Sequence, residues 1–302
     1  MAKKKVAVGS WAYMFGPYEK DPVPLDEVLD KLQELGFDGL ELAGFTPHAS
    51  PEDYPTQADR DTLARKLADH GLDPVGYACN LYATPPASND PEVRRRYKAG
   101  FEENLQFCVD VGIPAIRVDT ASGPPLLEGV SYADAWGRIT EMWHDCAEIA
   151  GQSGVKLVWE FEPGFMFNKP SEIIKLPADV DHPNFSVLLD TCHAHMCAHV
   201  AARQAEPKEV LAGGAIELIG QLAGRIGHIH LIDSDETLHG DETSTHAPFG
   251  TGVLDFDQLM PAILAAGYDS PWWSIDLCFW PEAWEVTRQS KEFVDRLIAK
   301  HG

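Results

Sequence analysis

Residues able to bind a divalent metal ion are concentrated in the segment VLLDTCHAHM, residues 187–196. Asp190 ends its apolar run, and His193 and His195 follow within five residues. Carboxylate oxygens combined with imidazole nitrogens suit Mn²⁺, Mg²⁺, Co²⁺ or Zn²⁺. An aspartate at the end of a strand also commonly caps the next helix, and a lone histidine commonly binds no metal. The segment therefore leaves two interpretations open, metal binding and helix capping.

Acidic residues and histidines also end several other apolar runs of strand length. These candidates are Glu41, Asp119, Glu160, Glu162, His228, His230 and Asp276. Carboxylates that share one apolar pocket repel each other and resist desolvation, and a bound divalent cation removes that penalty. The two-residue period of a strand places Glu160 and Glu162 on one face, and His228 and His230 on one face. This period does not decide which member of each pair would bind metal.

A repeated pattern of helix, glycine and short apolar run would position these residues. In KLQELGFDGLEL, CVDVGIPAIRVD and LAGRIGHIHLID, glycine follows the last helical turn and the next run is strand-like. Eight such runs predict strands near 5–12, 37–42, 74–81, 114–119, 155–161, 185–190, 226–232 and 272–277, each followed by a helix. The pattern is typical of a single (β/α)8 barrel over residues 1–302, with functional groups at the carboxyl ends of the strands. A doubly wound sheet is less favoured, because VAVGSWAYMFG lacks a glycine-rich phosphate loop.

The longest stretch without predicted secondary structure is SDETLHGDETSTHAPFGTGVLDFD, after the seventh strand. It exceeds the usual length of a connection between a strand and a helix, which indicates a functional loop. It contains three further polar candidates, His239, Asp241 and His246.

The composition excludes several classes of partner. The formal net charge of −23 and the pI of about 4.7 disfavour binding to nucleic acid or to anionic membranes. No apolar run approaches the roughly 18 residues of a membrane span. The start MAKKKVAVGSWAY has a basic segment, but its apolar stretch is too short for a signal peptide and no cleavage site follows. We therefore expect a cytoplasmic protein without nucleic-acid or membrane partners, whose cysteines are reduced.

Four stretches together resemble the xylose isomerase-like barrel superfamily, which includes sugar phosphate isomerases and epimerases and the apurinic endonuclease family 2. They are VKLVWEFEPG, VLLDTCHAHM, IGHIHLIDSD followed by THAPFGTG, and WWSIDL, on four consecutive predicted strands. The resemblance implies one divalent metal ion, with Mn²⁺ expected before Mg²⁺, Co²⁺ or Zn²⁺, and the implied ligands are Glu160, Asp190, His230 and Asp276. Glu160 is matched rather than Glu162 because a turn glycine follows it by four residues, and His230 rather than His228 because it opens HLID.

The resemblance implies a sugar isomerase or epimerase that acts on a keto sugar or polyol through an enediolate intermediate. The metal ion would polarise the substrate carbonyl, and Glu160 or Asp276 would remove the proton from the adjacent carbon. His193 and His246 are expected as further catalytic groups. The expected substrate-binding residues are Glu162, His195, Asp119, Trp11 and Trp280, although packing explains the two tryptophans equally well. Relatives of this kind commonly form dimers or tetramers, so a homo-oligomer is expected.

Two alternative functions stay open. The first is a metal-dependent lyase, such as a dehydratase or an enzyme that cleaves a 3-keto glycoside by β-elimination, with His193 or His246 protonating the leaving group. Asp276 favours it, because most sugar isomerases of this type have the longer glutamate there. The second is a non-catalytic barrel subunit with a residual metal site. A DNA-repair endonuclease is disfavoured, because Tyr77, Asn80 and Asp119 stand where that branch has histidines.

Overall fold

Eight parallel strands close into a barrel among the residues that the computed structural model describes, 3–123 and 127–302. The strands of the chain are β1 (Lys5–Gly9), β2 (Gly39–Gly44), β3 (Asp73–Cys79), β4 (Ala115–Val118), β5 (Lys156–Glu160), β6 (Phe185–Asp190), β7 (Ile226–Leu231), β8 (Asp233–His239), β9 (Thr243–Ala247) and β10 (Trp272–Ile275). The barrel order is β1-β10-β7-β6-β5-β4-β3-β2, and β8 and β9 form a separate two-stranded sheet. The predicted (β/α)8 barrel is therefore confirmed.

Helices separate the successive strands of the barrel. They are α1 (Leu25–Glu34), α2 (Gln57–Asp69), α3 (Pro91–Val111), α4 (Tyr132–Gln152), α5 (Pro170–Val180), α6 (Thr191–His195), α7 (Gly214–Gln221), α8 (Phe256–Ala265) and α9 (Ala283–His301). Helix α1 buries Leu25, Val28, Leu29 and Leu32, the face that its sequence spacing predicts. The amphipathic pattern thus packs one helical face against the core.

The glycines that follow helices act as the sequence pattern predicts. Gly112 ends α3 with a φ of +84°, and its N–H donates to the carbonyl oxygen of Cys108. Gly267 follows α8 with a φ of +93°. This left-handed conformation costs glycine little, so each helix stops there and the chain turns into the next strand.

The sequence predicts no secondary structure in the segment after β7, but the structure contains two strands there. Residues 233–247 form the antiparallel hairpin β8–β9, with Asp233 opposite Ala247 and Ser234 opposite His246. Gly240 and Asp241 at its tip both have positive φ, +59° and +57°, which is the backbone of a type I′ hairpin turn. The sequence did not predict this hairpin because its residues are mostly polar. Along most of β9 only every second residue is buried, so no continuous apolar run indicates a strand.

The hairpin is joined to the following loop by one buried carboxylate. Asp233 Oδ2 accepts hydrogen bonds from the backbone N–H groups of Gly250, at 3.0 Å, and Gly252, at 3.1 Å. Its Oδ1 accepts from the N–H groups of Leu254, at 3.0 Å, and Ser234, at 2.8 Å. One side chain therefore fixes the path of the chain between the hairpin and α8.

The structure bears on two expectations from the sequence, the absence of a membrane span and the reduced state of the cysteines. Within the described ranges, the helices include none with the length and apolar character of a bilayer span. All six cysteines lie in the described part of the chain, and each is a free thiol.

Candidate active site at the barrel rim

A cavity of about 140 Å³ opens at the carboxyl-terminal rim of the barrel. Its polar lining comprises Tyr82, Arg117, Glu160, Glu162, His193, Thr243, His246, Asp276 and Cys278. Its apolar lining comprises Trp11, Phe15, Ala43, Phe45, Ala78 and Phe279. A cavity of roughly 150 Å³ holds a molecule the size of benzene, so this space suits one small ring or a short chain.

Three of the four predicted metal ligands converge beneath this cavity. Glu160 ends β5, His230 lies near the end of β7, and Asp276 directly follows β10. His230 Nδ1 lies 3.0 Å from Glu160 Oε1 and 3.2 Å from Asp276 Oδ2. One ligand atom from each of the three residues lies within 4.8 Å of the others, and all three residues are buried.

Glu41 supports this group from the opposite side of His230. Its Oε2 lies 3.2 Å from His230 Nε2, and its Oε1 lies 2.7 Å from His228 Nε2. Gly76 on the neighbouring strand makes room for the carboxylate, because a Cβ atom there would stand 2.8 Å from Glu41 Oε2. A carboxylate that holds the second nitrogen of an imidazole fixes the ring orientation and the tautomer of a metal-binding histidine.

The fourth predicted ligand, Asp190, lies in a second group with His193 and His246, whose ligand atoms also lie within 4.8 Å of one another. Asp190 Oδ1 caps α6 by accepting a hydrogen bond from the backbone N–H of His193 at 2.7 Å. Its Oδ2 is buried and has no hydrogen-bond partner among residues 3–123 and 127–302. One oxygen therefore serves the helix, and the other is available to a ligand.

His246 and Glu162 extend the second group toward the rest of the cavity. His246 Nδ1 lies 3.6 Å from Asp276 Oδ1, which joins the two groups. Glu162 Oε2 lies 3.2 Å from His193 Nε2 and accepts a hydrogen bond from Thr243 Oγ1 at 2.5 Å. The hairpin thus contributes Thr243 and His246 to a site whose other members come from barrel strands.

The electrostatic environment of the site stabilises positive charge. Burial alone would lower the pKa of His230, but Glu41, Asp276 and Glu160 hold that pKa well above its usual range. Burial raises the pKa of Asp190 to about 7; His246 opposes this rise and Asp276 reinforces it. Burial also raises the pKa of Glu162 to about 7. The carboxylates are too close together for all of them to be ionised without a nearby cation.

Arg117 on β4 supplies one such positive charge. Its Nε lies 2.5 Å from Glu160 Oε2, and its Nη2 lies 3.3 Å from Asp119 Oδ2. Burial would raise the pKa of Glu160, but Arg117, followed by His230, holds it below its usual value. The guanidinium therefore favours the ionised form of Glu160.

Trp11, one of the expected substrate-binding residues, lines the cavity and also has a polar role. It lies in a single 3-10 turn, Ser10–Tyr13, directly after β1. Its Nε1 donates a hydrogen bond to Asp276 Oδ1 at 2.6 Å. A Cβ atom at Gly9 would stand 2.1 Å from the indole ring, so this close packing requires glycine.

His195, predicted to bind substrate, lies outside the cavity. His193 and His195 are two residues apart on α6, and the helical rotation of about 100° per residue sends their side chains to different faces. His193 faces the cavity, whereas His195 lies 3.1 Å from Glu236 on the hairpin. His195 is therefore not among the described residues that line the cavity, although His193 is.

Asp119 and Trp280, also predicted to bind substrate, are not among the described residues that line the cavity. The Asp119 carboxylate accepts from the backbone N–H of Ala121 at 2.7 Å and lies behind Arg117. Trp280 Nε1 donates to the carbonyl oxygen of His246 at 2.7 Å. Both residues therefore hold lining residues in place rather than facing the cavity themselves.

The sequence patterns assigned no specific role in the site to Arg117 or Glu41. Arg117 interrupts the apolar run AIRV of β4, and a charged residue inside a buried strand is a signal that could have identified it. Glu41 lies in GLELAG, where every residue is buried. Their partners are distant in sequence, since 187 residues separate Glu41 from His228.

The donor set fits a divalent cation. Besides Asp190 Oδ2, both ring nitrogens of His246 are buried without a hydrogen-bond partner in the described part of the chain. Glu160 and Asp276 add carboxylate oxygens, and His230 adds an imidazole nitrogen, at neighbouring positions. Oxygen ligands with one or two imidazoles suit Mn²⁺, Mg²⁺, Co²⁺ and Zn²⁺.

Comparison with known proteins gives a family match over most of the chain. The family model described as "Xylose isomerase-like TIM barrel" matches residues 29–296. The match includes seven of the eight barrel strands and every predicted metal ligand.

Individual relatives are distant and have different activities. The D-psicose 3-epimerase of Ruminiclostridium cellulolyticum is 27% identical over 238 residues, which cover 75% of this chain and 73% of that protein. The inosose dehydratase of Geobacillus kaustophilus is 22% identical over 320 aligned positions, covering 97% of this chain and 94% of that protein. The crystal structure of the IOLI protein with a bound zinc atom matches with a TM-score of 0.75 and 18% identity, covering 99% of each chain. The structural match confirms the shared fold.

Proposed function

Because this chain belongs to the xylose isomerase-like TIM barrel family, we propose that it is a divalent-metal-dependent isomerase or epimerase of a small keto sugar or polyol. One observation carries the proposal: ligand atoms of Glu160, His230 and Asp276 lie within 4.8 Å of one another beside a cavity that has room for one small ring or a short chain. Its relatives include an epimerase of a ketose, D-psicose 3-epimerase.

Glu160, Asp190, His230 and Asp276 are the residues that would hold one divalent ion, with Mn²⁺ expected. When bound, such an ion polarises a carbonyl group and thereby acidifies the C–H bond beside it. Glu41 orients His230 for this role, because it occupies Nε2 and leaves Nδ1 directed toward Glu160 and Asp276. Asp190 contributes its unshared Oδ2.

Glu160 and Asp276 are the groups that would move the proton. Arg117 Nε forms an ion pair with Oε2 of Glu160 at 2.5 Å, and Trp11 Nε1 donates a hydrogen bond to Oδ1 of Asp276 at 2.6 Å. Each carboxylate therefore has one oxygen engaged and the other close to His230 Nδ1. A pair of oriented carboxylates allows one to remove a proton from a carbon and the other to return a proton.

Glu162, His193 and His246 would bind the hydroxyl groups of the substrate. His193 Nδ1 is held by Ser244 Oγ at 2.9 Å, and its Nε2 faces Glu162 Oε2 at 3.2 Å. A glutamate and an imidazole in contact can accept and donate hydrogen bonds to neighbouring hydroxyls. The aromatic side chains of Trp11, Phe15 and Phe45 supply the apolar surface for the carbon atoms of a sugar.

A lyase that eliminates water or an alcohol from a keto sugar is the second candidate. His246 favours it, because both of its ring nitrogens are buried beside the cavity without a hydrogen-bond partner in the described ranges. Such an imidazole can protonate a leaving group. An inosose dehydratase is among the relatives, and Asp276 is one methylene shorter than the glutamate that the family resemblance implies for most sugar isomerases of this type.

The experiment that tests the proposal is incubation with Mn²⁺ and a panel of unphosphorylated ketoses and keto-polyols, followed by NMR and mass spectrometry. An isomerase or epimerase gives a product of unchanged mass, whereas a lyase gives an unsaturated product that has lost its leaving group. Glu160→Gln should abolish turnover, and Glu27→Gln, which changes an exposed glutamate on α1, should not. Metal binding without turnover on any member of the panel would contradict the proposal and favour a non-catalytic subunit.

A further inference from the structure

A third group of metal-binding side chains lies outside the cavity, on the outer side of α6. It consists of His195, His199 and Glu236, whose ligand atoms lie within 4.8 Å of one another. Glu236 Oε1 lies 3.1 Å from His195 Nε2 and 3.9 Å from His199 Nε2. The two imidazole rings stack with centroids 4.9 Å apart. None of these three residues belongs to the site described above.

We propose that His195, His199 and Glu236 bind a zinc-type transition-metal ion at the surface of the barrel. Bonds of about 2.0–2.1 Å from Zn²⁺ to nitrogen or oxygen place neighbouring ligands of a tetrahedral site about 3.3 Å apart. The two nitrogen-to-oxygen distances, 3.1 and 3.9 Å, lie on either side of that value. Small side-chain rotations therefore complete three of the four positions of a zinc site, and water can supply the fourth.

The local backbone explains why the three side chains meet. His195 ends α6, and His199 lies in the single π-helical turn Met196–Val200 that continues it. Residues four apart on a helix lie on one face, so both imidazoles point the same way. Glu236 reaches them from β8 with a φ of +66°, a backbone conformation that non-glycine residues seldom adopt. Single π-helical turns and such backbone outliers are frequent at functional sites.

The accessibility of the group suits an exchangeable ion. The side chains of His199 and Glu236 are 57% and 44% exposed, and that of His195 is 14% exposed. The imidazoles also border a recess of about 270 Å³ whose lining includes Gly213 and Gly214. Two imidazoles with one carboxylate favour Zn²⁺, Ni²⁺ or Cu²⁺ over Mg²⁺ and Ca²⁺, which prefer oxygen ligands.

A metal ion at this position would join two elements that both contribute to the cavity. Helix α6 carries His193, and the β8–β9 hairpin carries Thr243 and His246. An ion bound by His195, His199 and Glu236 would fasten the hairpin to α6 without contacting the cavity. We expect the hairpin to separate from α6 less readily when the ion is bound, because the three ligands come together only while the hairpin is packed against α6. This inference does not depend on the proposed reaction.

Zinc stoichiometry tests the inference. We expect the wild-type protein, after equilibrium dialysis against Zn²⁺, to bind one equivalent more than His199→Ala and one more than Glu236→Gln. His301→Ala is the matched control, because His301 Nε2 also lies 3.1 Å from a carboxylate, Asp257 Oδ1, at the surface. It should bind as much zinc as the wild type. The same one-equivalent difference should persist in an Asp190→Asn background, where the cavity site is impaired.

Two further measurements test the same site, the absorption spectrum with Co²⁺ and the melting temperature with Zn²⁺. Replacing Zn²⁺ by Co²⁺ should give the visible absorption bands of a tetrahedral site, and His199→Ala should remove that contribution while His301→Ala retains it. Zn²⁺ should also raise the melting temperature of the wild type more than that of His199→Ala, and Mg²⁺ should produce no such difference. Equal zinc stoichiometry in the wild type and His199→Ala would overturn the inference, whether or not the protein turns over any sugar.

Discussion

Glu41 on β2 and His230 on β7, 189 residues apart in sequence, come from strands that β1 and β10 separate in the barrel, and Glu41 Oε2 lies 3.2 Å from His230 Nε2. The same carboxylate holds His228 through its other oxygen at 2.7 Å. Burial would raise the pKa of Glu41, but the two histidines hold it well below its usual value. His230 is therefore oriented by an ionised group that does not line the cavity in the described part of the structure.

Glu41→Gln is expected to weaken Mn²⁺ binding about 10- to 100-fold, the usual effect of removing a partner of a metal-binding histidine. Each imidazole contacts a different oxygen of Glu41, and glutamine replaces one of these oxygens with an NH₂ group that cannot accept a hydrogen bond. Isothermal titration with Mn²⁺ measures the change, and Glu27→Gln on the exposed face of α1 is the control. Unchanged affinity would mean that Glu41 does not position a metal ligand.

Trp11→Phe is expected to lower kcat/KM about tenfold while the protein stays folded. The substitution keeps an aromatic wall but removes the N–H that donates to Asp276 Oδ1 at 2.6 Å. A hydrogen bond to a charged group contributes about 1.5–3 kcal/mol, which corresponds to at least about a tenfold change in rate. Trp136→Phe is a matched control, because Trp136 Nε1 also donates to an aspartate, Asp179 Oδ2, but at the surface. A rate unaffected by Trp11→Phe would exclude this role.

Arg117→Met is expected to lower the free energy of unfolding of the metal-free protein by about 3–5 kcal/mol, because it leaves Glu160 buried without its cation. Mn²⁺ should restore part of that loss, since a second cation would then lie beside Glu160. Urea unfolding in EDTA and in Mn²⁺ measures both values.

Arg60→Met serves as the control for this comparison. Arg60 forms a similarly shielded ion pair with Asp110, at 2.7 Å, away from the cavity. Its loss should destabilise the protein to the same extent in EDTA and in Mn²⁺. If Mn²⁺ rescues both variants equally or rescues neither, Glu160 is not beside the bound ion.

Asp233→Asn is expected to lower the free energy of unfolding by about 2–3 kcal/mol. The carboxylate accepts four backbone N–H groups through two oxygens, and the amide NH₂ of asparagine accepts none, so buried donors lose their partner. Urea unfolding measures the change. Asp90→Asn is the control, because Asp90 is an exposed N-cap and asparagine caps a helix as well as aspartate does. Equal stability of the two variants would contradict the structural role of Asp233.

Much of the fold follows from local sequence patterns. The buried face of α1 and the glycines at positions such as 112 and 267 obey rules that act over a few residues. The hairpin β8–β9 was missed because its turn residues, Gly240 and Asp241, lie in a uniformly polar segment. Burial of its alternate residues depends on packing against α6, which no local pattern records.

The sequence predicted most residues of the candidate site, but it did not predict where their side chains point or which residues they contact. Glu160, His230 and Asp276 converge because the carboxyl ends of parallel strands share one rim. His195 diverges from His193 because a helix begins directly after Asp190. The partnerships of Glu41 and Arg117 depend on barrel closure, which brings together strands far apart in sequence.

The most direct test of the account is the Mn²⁺ stoichiometry of the folded protein, measured by equilibrium dialysis in a His199→Ala background that removes the proposed surface site. We predict one tightly bound Mn²⁺, at least a 100-fold weaker affinity in Asp190→Ala, and no change in Asp21→Ala, which alters an exposed aspartate. Circular dichroism should show that each variant keeps its fold. A folded protein that binds no Mn²⁺, or an Asp190→Ala variant that binds it as tightly as its parent, would contradict the account.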